Sequence, residues 1–549
     1  MTKWRTREQL IELLCDLVKI PSISESEAEK MFPDVVINQL SDLSYFKKNP
    51  DHLKKTPTGD GRFYATALVK HRSSVKETVI LFSHFDVVGV QDYGRWKEAA
   101  FQPEELTQMF YQNGINCTEQ VRRDIETGNW LFGRGTMDMK CGLALHLSMI
   151  EWACEGEFDG NILLVSVPDE EANSIGMRAA VPGLVEIAEE FNLSYIFALN
   201  AEPMFTAYPG DRNKYIYTGS IGKIMPGFLC CGKATHVGEP FAGLNGNFMA
   251  SVLTSELELD TELCDSDEGN AAPPPSNLMQ RDLKEGYSVQ IPHRAVTLFN
   301  FFLLERTVKE AVSLLRQKAG QAALKIERTF NERAERFSER TSSSPASVKV
   351  NVMTYEELSG YACERLGKKR VRSELEQVLS RRGELDDRGI TIKLADRLSS
   401  MCKELEPLIV IFFAPPFYPA VSSHQLPLVQ EVISKVGTYA GDSHHIQMIW
   451  RHYFNGISDL SYIGLANEKA TMDTLITNMP LWNKGYSIPF KEIEKLSVPV
   501  INLGPVGRDA HQWTERLDTD YAFGPLPDML RFCIHQIFSL SKQTAKSAK

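Results

Sequence analysis

Short apolar runs alternate with helically periodic segments in the first part of the chain. The apolar runs are residues 79–82, 161–167 and 195–199, and the periodic segments lie between them at about 142–153 and 174–191. This alternation indicates βαβ units, an α/β fold class and a largely parallel sheet. In open sheets of this kind a ligand binds just beyond the carboxyl ends of the strands. The residues that follow each apolar run are therefore the first candidates for a functional site.

The pattern changes after residue 217, where a second set of apolar runs and periodic segments outlines a small α+β domain. Its predicted strands and helices are, in order, 224–231, 248–257, 295–304, 308–337 and 348–353. Charged helical segments follow at about 355–406, and the apolar, proline-containing stretch 408–419 leads back to the first domain. We therefore predict one domain of residues 1–218 and 420–549, with a second domain of residues 219–419 inserted into it.

Two segments of the first domain are candidates for a functional site. The first has a histidine near a carboxylate, and the second has an aspartate after a glycine-rich turn. The segment S-H-F-D-V-V at 83–88 follows the first apolar run and places His84 and Asp86 on the same side of the chain, where the carboxylate can hold the imidazole. An ordinary loop that satisfies its own backbone is the alternative. In L-F-G-R-G-T-M-D-M-K-C-G at 131–142, Asp138 precedes a predicted helix and could be only its N-cap.

Three further segments place acids or a histidine after apolar runs. V-P-D-E-E-A at 167–172 crowds Asp169, Glu170 and Glu171, which repel one another unless a cation or a shared proton relieves them, although a solvated acidic loop is equally open. L-N-A-E-P contains Glu202, and the segment 502–518 contains His511. Histidine nitrogens and carboxylate oxygens are the ligands that zinc uses. Taken together, these segments predict a metal site.

Composition excludes several other classes. The net charge of the 549 residues is -11, which argues against a nucleic-acid partner. Since no run approaches roughly 18 apolar residues and the start lacks a secretory signal pattern, we expect a cytoplasmic protein with no membrane partner. A serine hydrolase is not favoured, because Ser220 follows Thr218 and Gly219 and so lacks the first glycine of a G-x-S-x-G elbow.

The order of the motifs resembles the M20 metallopeptidase superfamily. H-x-D, G-R-G-x-x-D-M-K, Glu-Glu, E-P, and G-P with a late histidine are similar to that family's site motifs, and L-V-K-I-P-S-I-S at 17–24 and G-K-A-T-H-V-G-E-P at 232–240 are similar to its opening and its lid. Within the superfamily, the length and the flanks of the inserted domain most resemble the arginine-utilisation group called RocB. The resemblance implies a zinc-peptidase-like catalytic domain with a mixed, largely parallel sheet flanked by helices, and an inserted α+β lid or dimerisation domain.

The resemblance also implies roles for residues that match the motifs. It implies two divalent ions, Zn²⁺ first with Co²⁺ or Mn²⁺ as alternatives, and these ligands: His84 and Glu202 for one ion, Glu171 and His511 for the other, and Asp138 between them. It further implies that Asp86 orients His84, that Glu170 is the general base, and that His236 reaches the substrate carbonyl from the lid.

These roles lead to an expected activity and expected partners. We expect a metal-dependent hydrolase of an amide or peptide bond in a small amino-acid derivative, such as an N-acyl amino acid or a dipeptide, with an arginine or ornithine derivative as one option. A catalytically inactive scaffold that binds such a derivative is the alternative. A homodimer through an edge strand of the lid is expected as the protein partner. Four residues near the motifs in chain order are candidate substrate contacts, with surface roles equally open: Arg451, Asn455, Asp459 and Arg508.

Overall fold

The computed structural model describes residues 2–72, 74–112, 117–206, 208, 210–267, 269–465 and 469–547. The chain forms two compact units, the first from Met1–Ile221, Pro419–Leu465 and Pro489–Lys549, and the second from Gly222–Tyr418 and Ala466–Ile488. The sequence-based division differs at residues 466–488, which it left in the first domain. Tertiary contacts decide their placement, since Leu475 is fully buried and Asn478 Oδ1 accepts a 3.0 Å hydrogen bond from the main chain of Glu356.

The first unit is built on an eight-stranded mixed sheet. Its strands, in spatial order, are Leu53–Pro57, Phe63–Val69, Asn161–Val167, Glu77–His84, Ser194–Asn200, Val500–Asn502, Lys214–Tyr217 and Met448–Arg451. The strands from Asn161–Val167 to Val500–Asn502 are parallel neighbours, and antiparallel pairs flank them on both sides. The predicted α/β class with a mixed, largely parallel sheet is confirmed.

Helices and two small sheets complete the first unit. The helices are Arg7–Val18, Glu27–Ser41, Ser44–Lys48, Pro103–Gln112, Glu119–Thr127, Lys140–Cys154, Ile175–Phe191, Pro427–His444, Phe490–Lys495, Thr519–Phe523 and Pro525–Ser547. Trp130–Phe132, Arg516–Asp518 and Gly507–Arg508 form a three-stranded sheet, and Gly219–Ser220 pairs with Val421–Ser422. Helix Lys140–Cys154 is apolar around most of its circumference and is almost entirely buried, as expected for a helix that packs on a central sheet.

The register of the central strands brings their carboxyl ends to one edge. His84 is paired with Val167, Phe82 with Asn200, and Asn200 with Asn502. The segments that leave these strands therefore start within a few residues of one another in space. This edge of the sheet is where the candidate site residues follow the predicted apolar runs.

The second unit is an α+β structure, as predicted. Its five-stranded sheet has the order Ser276–Asp282, Arg294–Leu303, Gly222–Cys231, Leu408–Tyr418 and Asn351–Thr354. Its helices are Gly246–Leu257, Val308–Thr341, Tyr355–Leu366, Lys368–Ser380, Asp387–Ser400 and Lys469–Asn478, and Ser266–Asp267 pairs with Asn270–Ala271. The prolines of strand Leu408–Tyr418 act as expected, because its pairing with Gly222–Cys231 is interrupted between Ala414 and Tyr418.

The extra segment 355–406 has a packing role in the second unit. Its last helix, Asp387–Ser400, buries Ile390, Leu394 and Leu398 against the sheet. Arg294 at the start of a central strand joins the segment to the sheet, with one guanidinium nitrogen 2.9 Å from Asp396 and another 2.5 Å from Glu406. Across the described ranges of both units, no helix combines the length and the apolar character needed to cross a membrane.

Candidate metal centre

His84 is the last residue of a central strand, and three carboxylates surround its imidazole. Its Nε2 atom lies 3.3 Å from Asp138 Oδ1, 3.6 Å from Glu202 Oε1 and 4.0 Å from Glu170 Oε2. Burial by itself lowers the pKa of His84, but the carboxylates, Glu202 first, raise it well above its usual value. Within the described part of the chain, Nε2 makes no hydrogen bond of acceptable geometry. Nε2 of His84 therefore lies close to several carboxylates but forms no hydrogen bond with any of them.

Asp86 connects the His84 segment to the Glu170–Glu171 turn. His84 Nδ1 donates to the main-chain oxygen of Asp86 at 3.0 Å, while the nearest Asp86 carboxylate oxygen is 3.6 Å away. That buried carboxylate accepts hydrogen bonds from the main-chain nitrogens of Glu170 and Glu171, at 3.0 and 3.3 Å, and from Ser24 Oγ at 2.8 Å. The main chain of Asp86 thus sets the tautomer of His84, and its side chain positions the acidic turn.

Asp138 lies between two histidines. Its Oδ1 faces His84 Nε2, and its Oδ2 is 3.2 Å from His511 Nε2. Hydrogen bonds from the histidines hold the pKa of Asp138 below its usual range, although burial opposes this. The N-cap alternative is not supported, because the following helix begins at Lys140 and its N-cap, Met139, is not capped by a side chain.

A tight glycine turn positions Asp138. Gly135 has a φ of +80°, and a Cβ there would lie 2.8 Å from Val87 Cγ1, so a side chain would be both strained and obstructed. Thr136 Oγ1 donates to the main-chain oxygen of Gly133 at 2.7 Å and closes the turn. The G-R-G-T motif is therefore required for backbone geometry.

The three acids of the turn after strand Asn161–Val167 face different partners: Asp169 stabilises the turn, whereas Glu170 and Glu171 face the histidines. Asp169 points away from the histidines, where it accepts hydrogen bonds from Arg62 Nη1 at 2.6 Å and from the main chain of Ile175 at 2.9 Å. Glu171 Oε1 is 3.0 Å from His511 Nε2. Burial raises the pKa of Glu170 well above its usual value, and the charges of Glu202 and Glu171 add to the effect.

Glu202 follows strand Ser194–Asn200 and is held by the segment that follows the neighbouring strand. Asn502 Nδ2 donates to its main-chain oxygen at 3.2 Å, and a Cβ at Gly504 would lie only 2.0 Å from that oxygen. The glycine of N-L-G-P therefore permits the close approach of two backbones. Glu202 is buried, and its Oε1 has no hydrogen-bond partner in the described ranges.

His511 lies on a loop and not at a strand end. Its side chain is 47% exposed, and both Asp509 and His511 have positive φ values, of 57° and 63°. Thr514 Oγ1 and Arg516 Nη1 donate to Asp509 Oδ2, at 2.7 and 2.5 Å, and stabilise the loop. The resulting geometry presents Nε2 to both Asp138 and Glu171.

Glu515 was not among the predicted site residues. It joins the loop of His511 to the glycine turn that precedes Asp138. This buried carboxylate accepts hydrogen bonds from Arg134 Nη1 at 2.6 Å and from the Gly135 nitrogen at 2.7 Å. Burial raises its pKa to about 7. In the sequence it is one charged residue within H-Q-W-T-E-R, a pattern that carries no strand-end signal.

Asp459 is also more deeply buried than its sequence context indicates. It is fully buried, and neither carboxylate oxygen has a hydrogen-bond partner among the described residues. Burial raises its pKa to about 7, and the turn that carries it, Asp459–Tyr462, packs against strands Glu77–His84 and Ser194–Asn200. The surface role considered for Asp459 is therefore wrong.

The structure brings most of the predicted site residues together in the first unit: His84, Asp86, Asp138, Glu170, Glu171, Glu202 and His511. The ligand atoms of His84, Asp138 and Glu171 all lie within 4.8 Å of one another. His236 belongs to the second unit, where it is exposed and where its Nδ1 accepts a 3.1 Å hydrogen bond from the Gly238 nitrogen.

Comparison with known proteins assigns the family. Residues 80–523 match the model of peptidase family M20/M25/M40. The chain belongs to this family. It is 46% identical to the uncharacterized protein YqjN of Bacillus subtilis (strain 168), with 99% of each chain covered, and 31% identical to protein RocB of the same organism, with 95% of this chain and 94% of RocB covered.

A solved structure shares the fold of this chain at low sequence identity. The di-peptidase Dug1p from Saccharomyces cerevisiae is 12% identical, with 97% of this chain and 96% of that chain covered and a TM-score of 0.53. The M20 membership supports a hydrolase, and the predicted resemblance to the superfamily and to RocB is confirmed.

Proposed function

We propose that this M20 protein is a two-metal hydrolase that cleaves an amide or peptide bond of a small amino-acid derivative. The observation that carries the proposal is the position of Asp138, whose two oxygens face the Nε2 atoms of His84 and His511 separately. A carboxylate between two imidazoles is suited to bridging two cations. A single ion or a purely structural cluster would not need this arrangement.

The donor atoms fit two divalent metal ions. His84 Nε2 and Glu202 Oε1 are buried and lack hydrogen-bond partners in the described part, so a cation would satisfy both. His84 and Glu202 would hold one ion, Glu171 and His511 the other, and Asp138 both. Nitrogen and oxygen donors favour Zn²⁺, with Co²⁺ and Mn²⁺ as alternatives.

The protein groups around the centre would carry the proton transfers. When bound, the metal ions would lower the pKa of water and polarise the substrate carbonyl. Glu170 lies in the same buried cluster and is positioned by the Asp86 carboxylate through its main-chain nitrogen. It would accept a proton from the attacking water and return it to the leaving amine.

His236 would contribute from the second unit. Because its Nδ1 accepts a hydrogen bond from the Gly238 nitrogen, the neutral ring carries its proton on Nε2. That proton would be donated to the developing negative charge on the substrate oxygen. Asp86, through its main-chain oxygen, would keep His84 in the tautomer that leaves Nε2 available for metal.

The proposed substrates are dipeptides and N-acyl amino acids, with arginine and ornithine derivatives among them. The support is similarity, since RocB is a relative and Dug1p is a di-peptidase with the same fold. We also propose a homodimer through strand Ser276–Asp282, which is an edge strand of the second unit and partly exposed.

Metal analysis together with a substrate panel tests the proposal. Purified protein should contain about two metal ions per chain and should release a free amino acid from members of a dipeptide and N-acyl amino acid panel. A chelator should abolish release, and the Glu170→Gln variant should retain metal with turnover lowered by roughly 10²-fold to 10⁴-fold. Metal-free protein that cannot be loaded, and that releases no amino acid, would contradict the proposal and favour a binding scaffold.

A further inference from the structure

The first unit contains a cleft of about 580 Å³ that the proposed reaction does not use. Its walls are helix Glu119–Thr127 with Asn129 and Trp130, residues 204–206 and 210–214, strand Gly507–Arg508 with Val506, and Asp518. A cavity of this size can enclose a small organic molecule.

The cleft lies at the same edge of the sheet as the metal cluster. Strand Lys214–Tyr217 runs antiparallel to Val500–Asn502, so Lys214 starts at the edge where that strand ends. Met204 follows Glu202 by two residues, and its nitrogen donates to the main-chain oxygen of Pro505 at 2.8 Å. The cleft is therefore built from the continuations of the segments that carry Glu202 and His511.

The acidic residues that line the cleft already have partners. Asp124 Oδ2 accepts from Arg516 Nε and Nη2, at 2.9 and 2.6 Å. Asp518 Oδ1 accepts from the main-chain nitrogens of Asp520 and Tyr521, each at 3.1 Å. Asp211 accepts from the Tyr215 hydroxyl at 2.7 Å. Each of these carboxylates is already engaged by other donors, and within the described ranges none of them forms a hydrogen bond with Lys214 or Arg508.

Lys214 and Arg508, two of the cationic side chains that line the cleft, lack such hydrogen-bond partners within the described ranges. Arg508 Nη1 is 3.7 Å from Asp124 Oδ2, beyond hydrogen-bond distance, and its buried Nε has no hydrogen-bond partner in the described ranges. Lys214 Nζ lies 5.1 Å from the ring centre of Tyr521 and forms no ion pair in the same ranges. Burial lowers the pKa of Lys214 and the charge of Arg508 adds to this effect, while Asp518 and Asp211 oppose it. Two cations in one cleft, short of acceptors, favour an anion between them.

We propose that this cleft is a binding site for a small ligand with an oxyanion group, a carboxylate or a phosphate, held by Lys214 and Arg508. The guanidinium carbon of Arg508 lies 5.4 Å from the ring centre of Trp130, within cation–π range, and the planar fork of a guanidinium suits recognition of an oxyanion. The inference concerns a site other than the metal cluster and does not depend on the hydrolase activity.

Titration calorimetry on the full-length protein, with inorganic phosphate and with succinate as separate probes, tests the site. We expect saturable binding of one or both to the wild-type chain below about 20 mM. The Lys214→Met and Arg508→Met variants should each weaken binding by at least about tenfold, because each removes a charge-assisted hydrogen bond. Binding of phosphate alone identifies a phosphate ligand, and binding of succinate alone identifies a carboxylate.

Matched variants and a second measurement keep the test independent of folding. Lys55→Met and Arg95→Met remove exposed cations that also lie over aromatic rings, Phe63 and Trp96, and should leave binding unchanged. In the wild-type chain, the bound anion should protect Lys214 from an amine-reactive label without protecting Lys55. The proposal is overturned if neither probe binds saturably, if the cleft variants bind like the wild type, or if Lys214 labelling is unaffected by the anion.

Discussion

The two halves of the metal cluster are built differently. The inner half, His84 and Glu202, is attached to central strands and is almost wholly buried, and its His84 Nε2 and Glu202 Oε1 lack hydrogen-bond partners within the described residues. The outer half, Glu171 and His511, is formed by a turn and a loop, and His511 Nε2 already contacts Glu171 at 3.0 Å and Asp138 at 3.2 Å.

Because of this difference, the inner half is a preformed ion site, whereas the outer half can rearrange its contacts when no ion is bound. Leaving a buried polar group unsatisfied costs about 1–3 kcal/mol, more if it is charged, so the inner half gains most from a cation. The outer half can satisfy itself by hydrogen bonding when no ion is bound. We therefore expect the inner position to bind metal more tightly and the outer position to exchange it more readily.

The largest expected effect is a loss of turnover without a loss of metal from either half of the cluster, in the variant Glu170→Gln. Glu170→Gln keeps the size of the side chain but removes the proposed base, so turnover should fall by roughly 10²-fold to 10⁴-fold. Metal content by elemental analysis should stay at the wild-type level, because Glu170 is not a proposed ligand. Turnover close to wild type would remove Glu170 from the mechanism, and loss of metal would move it into the ligand set.

A matched pair of isosteric variants tests the two halves directly. Glu202→Gln should weaken zinc binding at the inner position by more than about 100-fold, beyond the usual effect of changing a residue that only supports a ligand. Glu171→Gln should release the outer ion and leave the inner one. Zinc per chain after gel filtration and competition with a coloured chelator measure both effects. Equal losses in the two variants would show that the halves are not distinct.

The inner half of the cluster was easier to predict than the residues around it. His84 and Glu202 lie at or just after apolar runs that became central strands, so strand periodicity made them candidates and the resemblance to the M20 superfamily assigned them as ligands. Glu515 contacts Gly135, which is 380 residues away in the chain, and such a contact leaves no local pattern. Asp459 was noticed only for its closeness in chain order, which carries no information about burial. Long-range packing is the part that periodicity does not encode.

Domain organisation shows the same limit. Strands and helices of the inserted domain followed from periodicity, whereas residues 466–488 join the second unit through the tertiary burial of Leu475 and a hydrogen bond to Asn478. A helix of ordinary composition has no sequence feature that states which unit it will pack against.

A smaller effect is expected from Glu515→Gln. This variant tests whether a residue that is not a proposed ligand affects the outer half of the cluster more than the inner half. The amide can still accept one hydrogen bond but cannot pair with Arg134 as a charge, so the turn of Asp138 and the loop of His511 should be less well positioned. Zinc affinity at the outer position should fall about 10-fold to 100-fold, with little change at the inner position. Asp34→Asn, which changes a surface carboxylate paired with Lys55 and away from the cluster, serves as the control. An unchanged outer affinity would show that Glu515 only packs.

The smallest expected effect is on the stability of the metal-free protein. Without ions, burial and the neighbouring carboxylates outweigh the attraction of His84 and raise the pKa of Glu202 well above its usual value, so Glu202→Gln removes a disfavoured charge and should raise the melting temperature of chelated protein by roughly 1–3 °C. Glu171→Gln removes the negative charge that faces the half-exposed His511 and should give no increase. Differential scanning calorimetry of both variants with excess chelator measures the contrast. If Glu171→Gln stabilises the chelated protein as much as Glu202→Gln does, repulsion is shared evenly across the cluster and the distinction between an unsatisfied inner half and a self-satisfied outer half fails.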